Sequence, residues 1–221
     1  MEKISEQFLL LALHPEKPRY VISGQKLNVG LFGSVLMDLY FEEKIDFLDK
    51  RVKLKSSKTR EGSVEAFLME KIRKSKRPPR IKNLISNNSV RGRKFRFHIF
   101  RDMQRKGILK IESKKFWIIP YKLVSLLDRK ARENLIVTLK SNLEDPASIP
   151  ERNAGLLGLI SACKMDKVLS VNKEERKEIR RKLKELSDKN VVSTSVEKAI
   201  KELEAAIAST VAITAASSAS S

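Results

Sequence analysis

The sequence predicts a mainly α-helical fold, a helical bundle with short peripheral β-hairpins and winged-helix-like pieces. Amphipathic and apolar stretches recur at helical spacing through much of the 221-residue chain. Two shorter regions instead pair short apolar segments around tight polar links, which is typical of hairpins. The hydrophobic content of 41% is enough for a buried core despite 33% charged residues.

The first half of the chain supplies the early helices and one hairpin. Ser5 is the expected cap of the first helix, Pro15 ends that helix, and Pro78-Pro79 ends the third, because proline cannot continue a helix. Asp49-Lys50 is the two-residue link of the hairpin. Helices are predicted over residues 6–13, 27–41, 63–76 and 80–85, strands over 45–48 and 51–55, and a turn over 87–89.

The second half repeats the order of helix and hairpin and then becomes helical. Gly107 suits the end of a helix over 93–106, because glycine readily adopts the left-handed conformation found there. The next hairpin is predicted over 108–112 and 116–119, with its tip at Ser113-Lys114-Lys115. Further helices are predicted over 124–143, 153–168, 173–188 and 192–208. We expect residues 1–208 to form one domain and the Ala- and Ser-rich residues 209–221 a disordered tail.

The net charge of +19 and the pI near 10.0 predict attraction to phosphates. Residues 71–106 hold 14 Lys and Arg and one acid, Asp102, and the only Trp of the chain follows closely. Dense positive charge beside an aromatic-aliphatic cluster suits a membrane leaflet. A nucleic acid is the alternative. Residues 176–182 form a second basic cluster, but they alternate with glutamates and predict ion pairs on an exposed helix.

Several classes of protein are disfavoured by what the sequence lacks. No window approaches 18 apolar residues, and the apolar run at residues 8–13 is too short and too acidic for a signal peptide, so membrane contact would be peripheral. One cysteine, Cys163, and two histidines predict a buried thiol and no zinc site. Asp38 lies among apolar residues and suggests a buried, hydrogen-bonded acid. Without a phosphate loop or a nucleophile elbow, we expect no enzymatic activity and no cofactor.

A series of segments resembles the Golgi phosphoprotein 3 family. They keep the family's order over nearly the whole chain, and the absence of long extensions resembles a prokaryotic member. The segments are residues 8–13, 30–39, 44–45, 62–64, 72, 78–79, 107–109, 116–119 and 156–160.

The resemblance implies a helical protein that binds phosphatidylinositol 4-phosphate and pushes an apolar hairpin tip into the bilayer. The family's head-group pocket uses a Trp, an Arg, and two Arg three residues apart on a later helix. That pair matches Arg93 and Arg96, but the other two positions fall on Ser23 and Phe32. Half of the pocket therefore departs from the family pattern, which favours a looser preference for anionic lipid.

The residues themselves support a phosphate site at Arg93 and Arg96. Their spacing puts both guanidinium groups on one helix face, and each offers a planar fork of donors to phosphate. They also lie near the positive end of their helix. A solvated helix face with local salt bridges is the alternative. The expected basic surround is Arg91, Lys94, Lys74, Arg77 and Arg80.

The resemblance places the inserting tip at Phe116 and Trp117, and Ile118 extends it. Trp favours the membrane interface, and Lys114-Lys115 would meet anionic head groups. The alternative is that these apolar residues belong to the core.

We therefore predict a cytoplasmic protein that docks on the cytoplasmic face of a membrane and, as in the family, brings client proteins there. The alternative is a winged-helix-like nucleic-acid binder, in which the helix from Arg93 enters a groove and Ser113-Lys114-Lys115 is the wing. A third possibility is a basic scaffold that binds only protein.

Overall fold

The computed structural model describes residues 3–56, 63–89, 92–117, 119–188 and 201–212. Helices make up 64% of it, with two small antiparallel hairpins, which confirms the predicted fold class. The hairpins are β1 (Ile45–Leu48) with β2 (Arg51–Leu54), and β3 (Leu109–Phe116) with β4 (Ile119–Leu126). The helices are α1 (Ile4–Ala12), α2 (Gly24–Phe41), α3 (Val64–Arg73), α4 (Ile81–Ser89), α5 (Gly92–Arg105), α6 (Arg129–Glu144), α7 (Glu151–Ala162), α8 (Lys173–Asp188) and α9 (residues 201–212).

Helix α2 is the centre of the fold. Leu27 and every residue from Val29 to Leu39 are buried. Helices α1, α3, α4, α5 and α7 and strand β1 pack around it. Ile207 of α9 lies against Gly33, so the last described helix covers another part of its surface. A helix with apolar residues on all sides is stable only when it is surrounded in this way.

Helices α1 and α7 approach α2 closely at Gly30. A Cβ atom at this position would overlap the ring of Phe8 and lie 2.9 Å from Sγ of Cys163. Cys163 is the buried thiol that the sequence predicted, and burial raises its pKa to about 12. The group is therefore a packing thiol at neutral pH and not a thiolate nucleophile.

Asp38 joins the start of α1 to the centre of α2. Its Oδ1 accepts a hydrogen bond from the backbone N–H of Ile4 at 2.7 Å, and its Oδ2 accepts one from Ser5 at 3.1 Å. Both donors belong to the first turn of α1, which has no partners for them within the helix. Asp38 is thus the buried, hydrogen-bonded acid that the sequence suggested. The predicted capping role of Ser5 was wrong, because α1 begins at Ile4 and its first turn is capped by this distant carboxylate.

Each hairpin follows a helix, as the sequence predicted. Asp49 and Lys50 link β1 to β2 with φ values of 51° and 61°, the left-handed conformation of a two-residue hairpin turn. Gly107 follows α5 with a φ of 72°, as expected for the residue that ends a helix.

The second hairpin is longer than predicted. Phe116 pairs with Ile119, so the turn lies at Trp117 and not at Ser113-Lys114-Lys115, which belongs to β3. The helix predicted from residue 124 was also wrong at its start. Val124 is buried in β4 opposite Ile111, and α6 begins after Asp128, whose side chain accepts a hydrogen bond from the N–H of Ala131 at 2.8 Å.

Smaller corrections concern the ends of elements. Residues 87–89 continue α4 instead of forming the predicted turn. The helix predicted over 153–168 is α7 followed by a short 3-10 turn over Asp166–Val168, whereas α8 has the predicted bounds. Residues 209–212, assigned above to the tail, continue α9 and bury Thr210 and Val211. Residues 213–221 lie outside the described residues.

Gly30→Ala should destabilise the fold by about 1–3 kcal/mol, because the added methyl group would overpack the contact with Phe8 and Cys163. Gly24→Ala is the matched control, since a Cβ atom there meets nothing within 4 Å. Urea unfolding measures both variants. Equal stabilities of the two would contradict the close approach of α1 and α7 to α2.

The pH dependence of stability should carry the signature of Asp38. Burial raises its pKa from 3.8 to about 6, against the opposing effect of the hydrogen bonds from Ser5 and Ile4. Between these two values the folded state holds the proton more often than the unfolded state, so this contribution to stability decreases as the pH rises. Asp38→Asn cannot titrate. The free energy of unfolding of the original protein minus that of Asp38→Asn should fall by roughly 2–3 kcal/mol from about pH 4 to about pH 6 and then level off. A difference that is flat over this range would contradict the assignment.

Candidate functional site

Hairpin β3–β4 is buried at its base and exposed along its outer half. Leu109 pairs with Leu126, and both are buried together with Val124. From Ser113 to Lys115 the side chains of β3 are exposed, and so are Tyr121 and Lys122 on β4. Because successive side chains alternate between the two faces of a strand, a buried outer half would have to show alternating burial. The outer half therefore projects from the core.

Trp117 occupies the turn of this hairpin. Its side chain is 91% exposed, so the alternative that it belongs to the core is wrong. Its φ of 57° is in the left-handed region, which bulky residues rarely adopt. A fully exposed indole in an unfavourable backbone conformation contributes nothing evident to folding and points to a role in binding. The side chain of Phe116 and all of Ile118 lie outside what the structure describes.

Lysines surround this turn. Residues 113–122 contain Lys114, Lys115 and Lys122 and no acid. Nζ of Lys122 lies 3.8 Å from the ring centroid of Phe97 on α5, which ties the hairpin to that helix. Sequence analysis missed Lys122, because residues 124–126 were assigned to a helix. The alternation of the apolar Val124 and Leu126 with the polar Ser125 is the period-two signal that could have identified the strand.

Arg96 is the one member of the predicted arginine pair whose side chain is described. It lies partly buried on α5, near Tyr20 in the connection between α1 and α2. Burial raises the pKa of Tyr20, and the positive charge of Arg96 opposes that rise. The backbone of Arg93 is in the first turn of α5. The side chains of Arg93 and Lys94 and all of Arg91 lie outside what the structure describes.

Ser23 and Phe32, where the resemblance implies a Trp and an Arg, have structural roles. The Oγ of Ser23 accepts a hydrogen bond from the N–H of Lys26 at 3.3 Å and caps α2. Phe32 is 1% exposed, and its ring stacks on that of Phe95 with 4.9 Å between centroids. An aromatic contact between α2 and α5 therefore stands where the resemblance implies a cation for phosphate.

The other basic residues predicted to surround the site belong to the connection between α3 and α4. Lys74, Arg77 and Arg80 are exposed, and Lys74 forms an ion pair with Glu70 at 2.6 Å. This connection packs along the first hairpin: the carbonyl of Pro79 accepts a hydrogen bond from the N–H of Val52 at 2.9 Å. The structure thus fixes these charges beside β2.

The family model described as Golgi phosphoprotein 3 (GPP34) matches residues 4–203, which run from α1 into α9 and include hairpin β3–β4. The chain belongs to the Golgi phosphoprotein 3 family. None of the curated proteins searched matches it.

Two further findings concern classes of site. None of the helices in the described ranges is long and apolar enough to cross a membrane. The part of the chain that the structure describes contains no cluster of three or more His, Cys, Asp or Glu side chains able to hold a metal ion.

Trp117→Ala should leave the free energy of unfolding within about 0.5 kcal/mol of the original value, because the side chain is exposed. Phe32→Ala should cost about 3–5 kcal/mol, because it removes a buried ring that packs on Phe95. Chemical unfolding of the two variants makes the comparison. A large loss of stability for Trp117→Ala would contradict its exposure and would mean that the side chain belongs to the core.

Proposed function

We propose that this member of the Golgi phosphoprotein 3 family is a non-enzymatic peripheral membrane protein that binds anionic phospholipid. The observation that carries the proposal is Trp117, exposed at the tip of a projecting hairpin among lysines and no acids. An indole partitions to the membrane interface, and lysines beside it attract anionic head groups. The proposal includes Phe116 and Ile118, which flank Trp117 in the sequence, in the inserting tip.

The energies suit reversible docking. Burial of one aromatic ring in lipid contributes about 2 kcal/mol, and each basic residue near an anionic surface adds about 1 kcal/mol. The outer half of the hairpin carries one Trp and three Lys, which makes binding weak, reversible and sensitive to salt. Membrane residence then depends on the density of anionic lipid.

The head group is bound by Arg93 and Arg96 on α5. Two guanidinium groups from one helix face can hold a single phosphate from two directions. The family's ligand is phosphatidylinositol 4-phosphate, but Phe32 packs in an aromatic contact and Ser23 caps a helix, so these two positions lack the cation and the indole of the family's pocket. We therefore propose a preference for anionic lipid in general over strict selection of the 4-phosphate. Docking on the cytoplasmic face of a membrane, and delivery of client proteins there, belong to the same proposal.

Liposome co-sedimentation tests the proposal with vesicles that are neutral, anionic, or doped with phosphatidylinositol 4-phosphate. The intact chain should pellet with both charged vesicles and not with neutral ones. Trp117→Ala should lose about 2 kcal/mol of binding free energy, whereas Val171→Ala, the control for an exposed apolar residue elsewhere, should lose none.

The charge arm of the experiment compares two double variants with the same change in net charge. Arg93→Ala/Arg96→Ala should abolish most pelleting, whereas Lys53→Gln/Lys82→Gln, on β2 and α4, should weaken it only slightly. Equal losses would show unspecific attraction and contradict the site. If the chain pelleted with no vesicle and bound duplex DNA tightly in a parallel tube, the hypothesis of a winged-helix-like nucleic-acid binder would be favoured instead.

A further inference from the structure

A second basic site lies between the start of α2, the end of α7 and α8. The structure has a cavity of about 570 Å³ between the start of α2, the end of α7 and one side of α8. This volume is within the range of small-molecule sites, roughly 300–1,000 Å³. The residues that line it are Lys26, Ser161, Lys164, Asp166, Lys167, Arg180 and Leu183.

The lining of the cavity has more positive than negative side chains, whereas other basic residues of α8 form ion pairs with glutamates. Within the described parts of the chain, Lys26, Lys164 and Lys167 form no ion pair with an acid. The basic cluster on α8 was predicted to be internally paired, and two of its members are. Arg181 pairs with Glu185, and Lys182 pairs with Glu178 at 3.4 Å.

Arg180 differs from its neighbours on α8. Its Nε and Nη2 donate to the same Oδ2 of buried Asp166, at 2.8 and 2.7 Å. This contact holds the guanidinium at the cavity, and Nη1 remains to donate to a ligand. Since Asp166 is the only acid of the lining, four cations leave a net charge of about +3 there.

Local backbone geometry fixes Lys164 at the rim. It has a φ of 54°, and its N–H donates to the carbonyl of Ser161 at 2.9 Å, while the N–H of Met165 donates to that of Ile160. These bonds close the end of α7. Lys164 and Ser161 therefore line the cavity from a turn whose backbone is already ordered, which lowers the entropic cost of binding.

We propose that this cavity binds a small anion that carries phosphate groups. The lining residues carry three ammonium groups, one guanidinium and one hydroxyl, which are donors suited to phosphate oxygens. The phosphate belongs either to a soluble compound or to a lipid head group.

The cavity is separate from the hairpin site. Sγ of Cys163, at the end of α7, lies 3.9 Å from the carbonyl oxygen of Lys26, which places the start of α2 beside α7. Phe32 instead faces Phe95 of α5. Trp117→Ala should thus leave the cavity's affinity unchanged, so this proposal can fail or succeed independently of membrane docking.

Isothermal titration calorimetry with inorganic pyrophosphate tests the proposal on the full chain. Lys164→Gln/Lys167→Gln should weaken binding by about tenfold or more, because two charge-assisted contacts are lost. Lys53→Gln/Lys82→Gln has the same net charge but lies outside the cavity, and its affinity should stay within about twofold. Thermal unfolding would show that both variants are folded.

Vesicles of phosphatidylcholine with phosphatidic acid distinguish the two sources of phosphate. If Lys164→Gln/Lys167→Gln loses pyrophosphate binding but pellets like the control, the ligand is soluble. If its pelleting falls as well, the ligand is a lipid phosphate. The proposal would be overturned if the intact chain did not bind pyrophosphate and Lys164→Gln/Lys167→Gln pelleted like the control. It would also be overturned if both double variants bound pyrophosphate equally weakly.

Discussion

The fold depends on the need to cover α2. This helix is apolar around its circumference, so it is stable only when neighbouring elements remove each side from water. Gly30 and Gly33 let α1, α7 and α9 approach it closely, and Asp38 caps the first turn of α1 from within the core. The positions of α5 and α7 follow from this packing, and those two helices carry Arg96 and one wall of the basic cavity.

The proposed functional surfaces consist of exposed side chains on elements that the core holds in place. Hairpin β3–β4 is held at its base by Leu109, Val124 and Leu126, so its outer half can present Trp117 without a cost to packing. The cation-π contact of Lys122 with Phe97 links the hairpin to α5, the helix of Arg93 and Arg96. The surfaces proposed for apolar insertion and for head-group binding thus belong to two elements in direct contact.

The sequence predicted the features that depend on local chemistry. The left-handed turn at Asp49-Lys50 and the end of α5 at Gly107 were found from residue type and spacing, and the family from the order of short segments. The predictions were wrong where contacts between distant parts of the chain determine the local structure. The pattern of residues 124–126 is compatible with either a helix or a strand, and the pairing of Val124 with Ile111 decides for the strand. The cap of α1 comes from Asp38, more than thirty residues away, and no local pattern reveals it. Likewise the basic cavity joins α2 to α7 and α8, so its lysines looked like ordinary surface charges in the sequence.

The fluorescence of Trp117 would show whether its side chain enters lipid. Because the chain has a single Trp, its emission reports the hairpin tip alone. With anionic vesicles we expect a shift of the emission to shorter wavelength, protection from acrylamide and quenching by brominated lipid chains. Neutral vesicles should cause none of these changes. Emission that stays water-like while the protein pellets with anionic vesicles would contradict insertion of the tip.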